Sequence, residues 1–268
     1  MSDGPGVHLA AVTRGSGEPV VVLHGFSGSG EAMASLVFQL DGYRCVAVDL
    51  VGHGRSPSPV DLAPYGVEAM AASVAQLAAG LGDGPAHVVG YSMGGRVALA
   101  LAAARPQLCR SLTLISATAG ITDVSERVQR RRADRALADR IGEHGLARFV
   151  DEWVAMPMWD SLRASLSAEA WQASIDQRLR SDPTGLANSL RAGGTGSMEP
   201  LWDRLEALNV PTLVMCGELD AKFVAIGHQM HGLLPHSDLV IVPGAGHAAH
   251  LEDPDGCVTA IRRHLAAH

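Results

Sequence analysis

Lysine is almost missing from this sequence. Of 21 basic residues only Lys222 is a lysine, and the other 20 are arginines. In a chain also rich in alanine and glycine, such a skew follows genome composition, but composition does not dictate where individual arginines stand. Positive charge is not in excess either: the formal net charge is −7, which argues against a nucleic-acid partner. No apolar run approaches the roughly 18 residues a membrane helix needs, so stable membrane insertion is not expected. The four cysteines, Cys45, Cys109, Cys216 and Cys257, lie far apart without CxxC spacing. They read as reduced core thiols rather than disulfide partners or metal ligands. The first residues, Met1-Ser2-Asp3-Gly4-Pro5-Gly6, offer neither the basic nor the apolar region of a signal peptide. Together these absences point to a reducing cytoplasm. The histidines form no HExxH or other metal spacing, so no metal is expected, and no cofactor is expected either. No internal repeat and no low-complexity linker interrupts the chain.

What is present is a globular composition, 47% hydrophobic and 18% charged, on a chain long enough for one large domain or one domain with an insertion. Short β-branched runs at 19–23, 44–48, 87–89, 112–115, 212–215 and 239–242 are continuously apolar, as central strands of a parallel sheet covered on both faces must be. Helix-length segments at 67–80, 94–104, 223–233 and 254–267 alternate with them. Strand–helix alternation predicts an α/β fold with right-handed crossovers. The alternation breaks between residues 120 and 200. Helical patterns at 127–141, 145–153 and 168–179 fill this stretch, which holds three of the four tryptophans and 11 of the 20 arginines. The expected organisation is an α/β core, residues 1–119 and 201–268, with an inserted helical cap, 120–200.

The motif that carries chemistry is Gly90-Tyr91-Ser92-Met93-Gly94-Gly95. It follows a strand and opens a helix, the context of a nucleophile elbow. Ser92 would project at the helix N-terminus, where backbone N–H groups favour developing negative charge. A serine hydroxyl needs a neighbour to take its proton, and in this fold the partners follow in the order acid, then histidine. His247 follows the last strand directly after a Gly-Ala-Gly turn, with His250 as competitor. Asp220 follows the strand at 212–215, with Glu218 as the near alternative. An oxyanion hole needs two backbone N–H groups. Met93, next to the nucleophile, would supply one. Phe26, in His24-Gly25-Phe26 after an early strand, would supply the other. His24 and His53 read as loop braces, and Gly52-His53-Gly54-Arg55-Ser56 is not a phosphate loop because no GK[ST] follows.

These motifs together resemble the α/β-hydrolase superfamily over the whole chain. A narrower set resembles the 2-succinyl-6-hydroxy-2,4-cyclohexadiene-1-carboxylate synthase family of menaquinone biosynthesis: Arg96 four residues after Ser92; Glu126-Arg127 and Arg130-Arg131-Arg132-Ala133-Asp134; Phe149-Val150 and Trp153 before Pro157; Leu179-Arg180-Ser181-Asp182-Pro183; Gly194-Thr195-Gly196; Asp220-Ala221-Lys222-Phe223; and Ala245-Gly246-His247-Ala248-Ala249-His250. The resemblance implies an α/β-hydrolase fold and a small polycarboxylate substrate that loses pyruvate by elimination, with Ser92 activated by His247 as base. It also implies that Arg96, Arg130 and Arg180 bind carboxylates while Tyr91 and Trp153 line the pocket. The chain departs from the family at Ser27-Gly28-Ser29-Gly30, where a bulkier residue often follows the phenylalanine, and at Ala248, an asparagine in some members. Two other readings compete. A serine ester or carbon–carbon bond hydrolase would use the same triad through an acyl-enzyme, but its pocket would want apolar lining instead of arginines. A non-enzymatic scaffold of this fold would have no need of Ser92, Asp220 and His247.

Overall fold

The computed structural model describes residues 7–268; residues 1–6, where a signal peptide is not expected, lie outside the described residues. In chain order the elements are β1 (Ala11–Arg14), β2 (Glu18–Leu23), α1 (Ala34–Gln39), β3 (Tyr43–Val48), α2 (Val67–Ala79), β4 (Ala86–Tyr91), α3 (Met93–Ala104) and β5 (Cys109–Ile115). There follow α4 (Val124–Val154), α5 (Asp160–Ser165), α6 (Ala168–Leu179), α7 (Pro183–Gly193), β6 (Thr212–Gly217), α8 (Ala221–Leu233), β7 (Ser237–Val242), α9 (Ala249–Glu252) and α10 (Pro254–Ala266).

The strands form one sheet in the order β1-β3-β2-β4-β5-β6-β7. Only the pairing of β1 with β3 is antiparallel. The alternating pleat sends successive residues to opposite faces. Thus Val21 and Leu23 of β2 enter one apolar cluster, with Val88 and Val97, while Val20 and Val22 enter the other, with Leu36 and Ile261. Side chains of this kind, fully removed from water, each contribute about 1.5–3 kcal/mol, which explains why the central strands carry no polar alternation.

The sheet order reverses at β2. The chain leaves β2 toward β3 on one side and returns to β4 on the other, which leaves a crevice between the carboxyl ends of β2 and β4. The register there pairs Leu23 with Gly90, setting the loop after Leu23 beside the turn after Tyr91.

Helices α4–α7 fill the stretch between β5 and β6. Ala138, Ile141, Phe149, Val150, Leu186 and Leu190 form a separate apolar cluster there, and Phe26 of the core packs against it. Gly145 interrupts α4 with φ 82°, ψ 167°, a conformation open essentially to glycine alone. The two halves of α4 therefore match the two helical patterns read on either side of Gly145. Asp182 accepts a hydrogen bond from Gly185 N at 2.7 Å ahead of Pro183 and so starts α7, a helix the sequence reading did not place.

Candidate active site

Ser92 stands between β4 and α3 with φ 50° and ψ −106°. A non-glycine residue held there costs about 1–3 kcal/mol and persists only where its surroundings over-determine it. Here they do. A Cβ on Gly94 would run into the Leu23 and His24 carbonyls, and one on Gly90 into the Gly94 backbone. The two glycines thus let β2, β4 and α3 close on the turn. Ser92 N donates to Ile115 O at 2.8 Å, and Arg96 N donates to Ser92 O at 3.1 Å.

The Ser92 hydroxyl faces His247 Nε2 at 3.0 Å, and His247 Nδ1 lies 2.7 Å from Asp220 Oδ2. With Nδ1–H donating to the carboxylate, Nε2 is left as an acceptor for the serine proton. His247 is buried and wedged by ring contacts to Phe223 at 4.8 Å and Tyr91 at 5.5 Å. Asp220 caps α8, its other oxygen accepting from Phe223 N at 3.3 Å. The alternatives to these two residues are otherwise engaged. Glu218 accepts from Gly244 N at 2.8 Å on the far side of the turn. His250 packs its ring against Tyr91 at 4.4 Å in a tilted contact and makes no bond to the Ser92 hydroxyl, and burial pushes its pKa down to about 3, so it is neutral.

Phe26 and Met93 line the same cavity as Ser92. Met93 opens α3, so its N–H has no partner within the helix. Phe26 N donates to no acceptor among the described residues. Beneath this loop, His24 donates from Nδ1 to Gly25 O at 2.7 Å and accepts Leu50 N–H on Nε2 at 3.0 Å. Burial lowers its pKa to about 4, as a ring with one committed donor and one committed acceptor requires. Asp49 ties the neighbouring loops together through Gly30 N at 2.7 Å and Arg55 N at 2.9 Å.

The cavity over Ser92 has a volume of about 480 Å³. One wall is aromatic: Phe26 meets Trp153 edge-on at 5.3 Å, and Trp153 meets Trp159 at 6.0 Å. Arg96, Arg130, Arg140 and Lys222 also line the cavity, together with the carboxylates Asp134 and Asp220. Arg96, on α3 one turn beyond Ser92, is only 7% exposed and donates to Gly193 O at 2.7 Å. Burial, followed by the nearby Arg130, lowers its pKa to about 10, which still leaves it cationic at neutral pH. Arg130 donates to Asp134 at 2.9 Å. Thus Ser92, Asp220, His247, Phe26, Met93, Tyr91, Arg96, Arg130 and Trp153 share one cavity. Trp159, Phe223 and Arg140 join them, although sequence spacing gave no reason to single them out as site residues.

Arg180 does not. It is the residue after the last turn of α6, its side chain is 58% exposed, and it pairs with Glu31 at 2.7 Å on the outer surface. Two helical positions are separated by about 200° around the axis, so Arg178 and Arg180 face opposite ways. Arg178 turns inward, its guanidinium 5.5 Å from the Trp159 ring centre. Within this conformation the expectation for Arg180 is corrected: no contact joins it to the Ser92 cavity.

The profile of the alpha/beta hydrolase fold family matches residues 18–254. A Bacillus subtilis (strain 168) relative named for 2-succinyl-6-hydroxy-2,4-cyclohexadiene-1-carboxylate synthase is 38% identical over 95% of this chain and 92% of its own length. The synthase of that name from Klebsiella pneumoniae (strain 342) is 32% identical over 96% and 98%. Among solved structures, MenH from S. aureus superposes with a TM-score of 0.91 at 32% identity, covering 96% of this chain and 98% of that one. A malate-bound esterase from Thermogutta terrifontis gives a TM-score of 0.84 at 29% identity over 97% and 93%. Sequence, fold and site agree, and this chain belongs to the 2-succinyl-6-hydroxy-2,4-cyclohexadiene-1-carboxylate synthase family within the α/β-hydrolase fold.

Proposed function

We propose that this protein is a carbon–oxygen lyase that converts 2-succinyl-5-enolpyruvyl-6-hydroxy-3-cyclohexene-1-carboxylate into 2-succinyl-6-hydroxy-2,4-cyclohexadiene-1-carboxylate and pyruvate. The observation that carries the reading is the buried Arg96 cation, which with Arg130 shares one cavity with a serine–histidine–aspartate relay. An ester pocket has no use for a desolvated guanidinium. A substrate with several carboxylates does, because the planar fork grips a carboxylate with two parallel hydrogen bonds.

In this reading Ser92, polarised by His247 Nε2, takes the proton from the ring carbon next to the succinyl carbonyl. The proton passes to His247, and Asp220 stabilises the imidazolium. The negative charge that develops on the carbonyl oxygen is met by the Phe26 and Met93 amides. As the new double bond forms at that carbon, the existing ring double bond shifts one position to complete the conjugated diene, the carbon–oxygen bond to the enolpyruvyl group breaks, and the departing three-carbon enolate takes a proton on carbon to become pyruvate. No water is consumed. The aromatic wall of Trp153 and Trp159 would cover the ring. Four buried free cysteines, and no helix among the described residues apolar and long enough to cross a membrane, support a cytoplasmic setting.

The esterase relative keeps a second reading in play, hydrolysis through an acyl-Ser92, since a strained serine with two adjacent amides serves both. Incubation with the enolpyruvyl substrate separates them. The elimination releases pyruvate, shows a deuterium isotope effect at the abstracted position when that step limits turnover, and leaves the Ser92 peptide unmodified in quenched samples. A substrate-derived mass on Ser92 that rises and decays at the rate of turnover would replace the lyase by the hydrolase.

A further inference from the structure

The turn at the end of α7, Gly193-Gly194-Thr195-Gly196, is tied to both helices that carry arginines of the Ser92 cavity. Arg96 of α3 donates to Gly193 O at 2.7 Å. Arg131 of α4, the neighbour of Arg130, donates to Gly196 O through two nitrogens at 3.2 and 3.0 Å. Between these anchors the backbone is pressed against α4. A Cβ on Gly194 would run into Asp134 Oδ2, and one on Gly196 would lie 2.6 Å from Arg131 N. Gly194 O accepts from Ser197 N at 2.9 Å and from Met198 N at 3.2 Å. Thr195 is the one residue of this pinned turn that has a side chain, and it lines the Ser92 cavity beside Gly193 and Gly194. It is half-buried, and neither its hydroxyl nor its N–H has a hydrogen-bond partner among the described residues. The hydroxyl is not sealed in the packing, for it is absent from the inaccessible polar atoms that lack a partner.

The charges around the turn leave a place for such a donor. Asp134 is buried and pairs with Arg130 at 2.9 Å, so Arg96, Arg130 and Asp134 together carry one net positive charge, the complement of one carboxylate. A carboxylate offers about four lone-pair sites. A guanidinium fork meets two of them, and in a cavity shielded from water those left unmet weaken binding. A hydroxyl meets one without adding charge. Its reach is set by the chain: Thr195 lies two residues from Gly193, within about 8 Å between Cα atoms, and the Gly193 carbonyl is held by the Arg96 guanidinium itself.

We propose that Thr195 is a substrate-contact residue whose hydroxyl donates to the carboxylate gripped by Arg96, so that the turn after α7 helps select an anionic over a neutral substituent. The proposal rests on the lyase reading for the identity of the substrate but not for its test, in which succinate is the carboxylate probe. Succinate is titrated into the full chain by NMR, and saturable binding is expected. Thr195→Val keeps the shape and removes the hydroxyl; it should raise the succinate dissociation constant at least tenfold, the loss of a hydrogen bond to a charged group. Thr195→Ser restores the hydroxyl without the methyl and should recover binding to within about threefold. On the enolpyruvyl substrate the valine variant should lose a similar factor in kcat/KM, chiefly through KM. A residue that only packs would give the reverse order, with serine the poorer replacement. Thr195→Ala repeats the test should the valine variant lose its fold by circular dichroism. Wild-type-like succinate binding by folded T195V or T195A, equal losses in T195V and T195S, or no saturable succinate binding by the unaltered protein overturns the proposal. Failure of the lyase reading shows separately, as no pyruvate release from the enolpyruvyl substrate while the differences in succinate binding persist.

Discussion

Replacing Arg96 is the sharpest probe of how this cavity works. The guanidinium sits four residues after Ser92 on α3, so its position is fixed by the same helix turn that aims the nucleophile. It is 7% exposed and remains charged, its pKa lowered only to about 10. One of its nitrogens is committed to Gly193 O, so most of its five N–H donors are free for a carboxylate. Losing a charged hydrogen bond in such a place costs about 2–4 kcal/mol of transition-state binding, or roughly 30- to 1000-fold in kcat/KM. Arg96→Met removes a buried charge as well as a donor, and those effects oppose each other in folding. The orphaned Gly193 carbonyl costs about 1–3 kcal/mol, offset by the relief of desolvation, so the melting temperature should move little. Arg96→Lys keeps the charge without the fork and should recover only part of the loss. Steady-state kinetics on the enolpyruvyl substrate and on a small neutral ester provide the comparison. The full loss is expected on the first and less than about threefold on the second. Equal losses on both would mean that Arg96 shapes the elbow instead of binding carboxylate.

Ser92→Ala and His247→Ala should each lower kcat by several powers of ten, and the double variant should be little worse than either, since the two act as a unit; additive losses would separate them. Arg130→Ala should weaken kcat/KM on the enolpyruvyl substrate by about 10²-fold while Arg180→Ala, whose side chain lies on the outer surface with Glu31, changes it less than about twofold; the opposite order would show that the cap moves Arg180 inward during turnover. Gly94→Ala pushes a methyl into the Leu23 and His24 carbonyls, so urea unfolding should report a loss of about 3 kcal/mol or more, and a well-folded, active variant would contradict the close approach. Acid should destabilise the fold early. His24, His53 and His250 are neutral when folded, with pKa values lowered to about 4, 3 and 3, but protonate near 6.5 once unfolded. The unfolded chain then binds more protons as pH drops below 6.5, and stability falls until the folded pKa values are reached, by about 1.4 kcal/mol per group per pH unit. A melting temperature unchanged from pH 7 to pH 5 would refute this.

The sequence alone determined the parts of this protein whose signal is local. Continuous apolar runs gave six of the seven strands found among the described residues, because a strand buried on both faces leaves no room for polar residues. The elbow was legible because a strand, a strained turn and a helix must follow one another within a dozen residues, and glycines mark where backbones touch. The order serine, aspartate, histidine followed from the same fold logic. Edge and short elements were not legible. β1 is a four-residue antiparallel edge strand with three exposed residues out of four, so it carries no apolar run, and α1 and α5 are six residues each, too short for periodicity to speak. α7 did leave a signal, the Asp182-Pro183 pair of a helix start, within a stretch quoted only for its resemblance.

Tertiary structure decided what depends on which way a side chain turns. Arg178 and Arg180 are two residues apart in an arginine-rich segment, and residue type cannot rank them. The turn of α6 does, sending one toward Tyr91 and the other to Glu31. Trp159 and Phe223 reach His247 from two different elements, as the ring contacts at 6.1 and 4.8 Å record, and no spacing in the chain encodes that meeting. A sequence specifies chemistry where neighbours in the chain must act together; where the neighbours come from distant elements, only the closed fold brings the charges, rings and unpaired donors to one place.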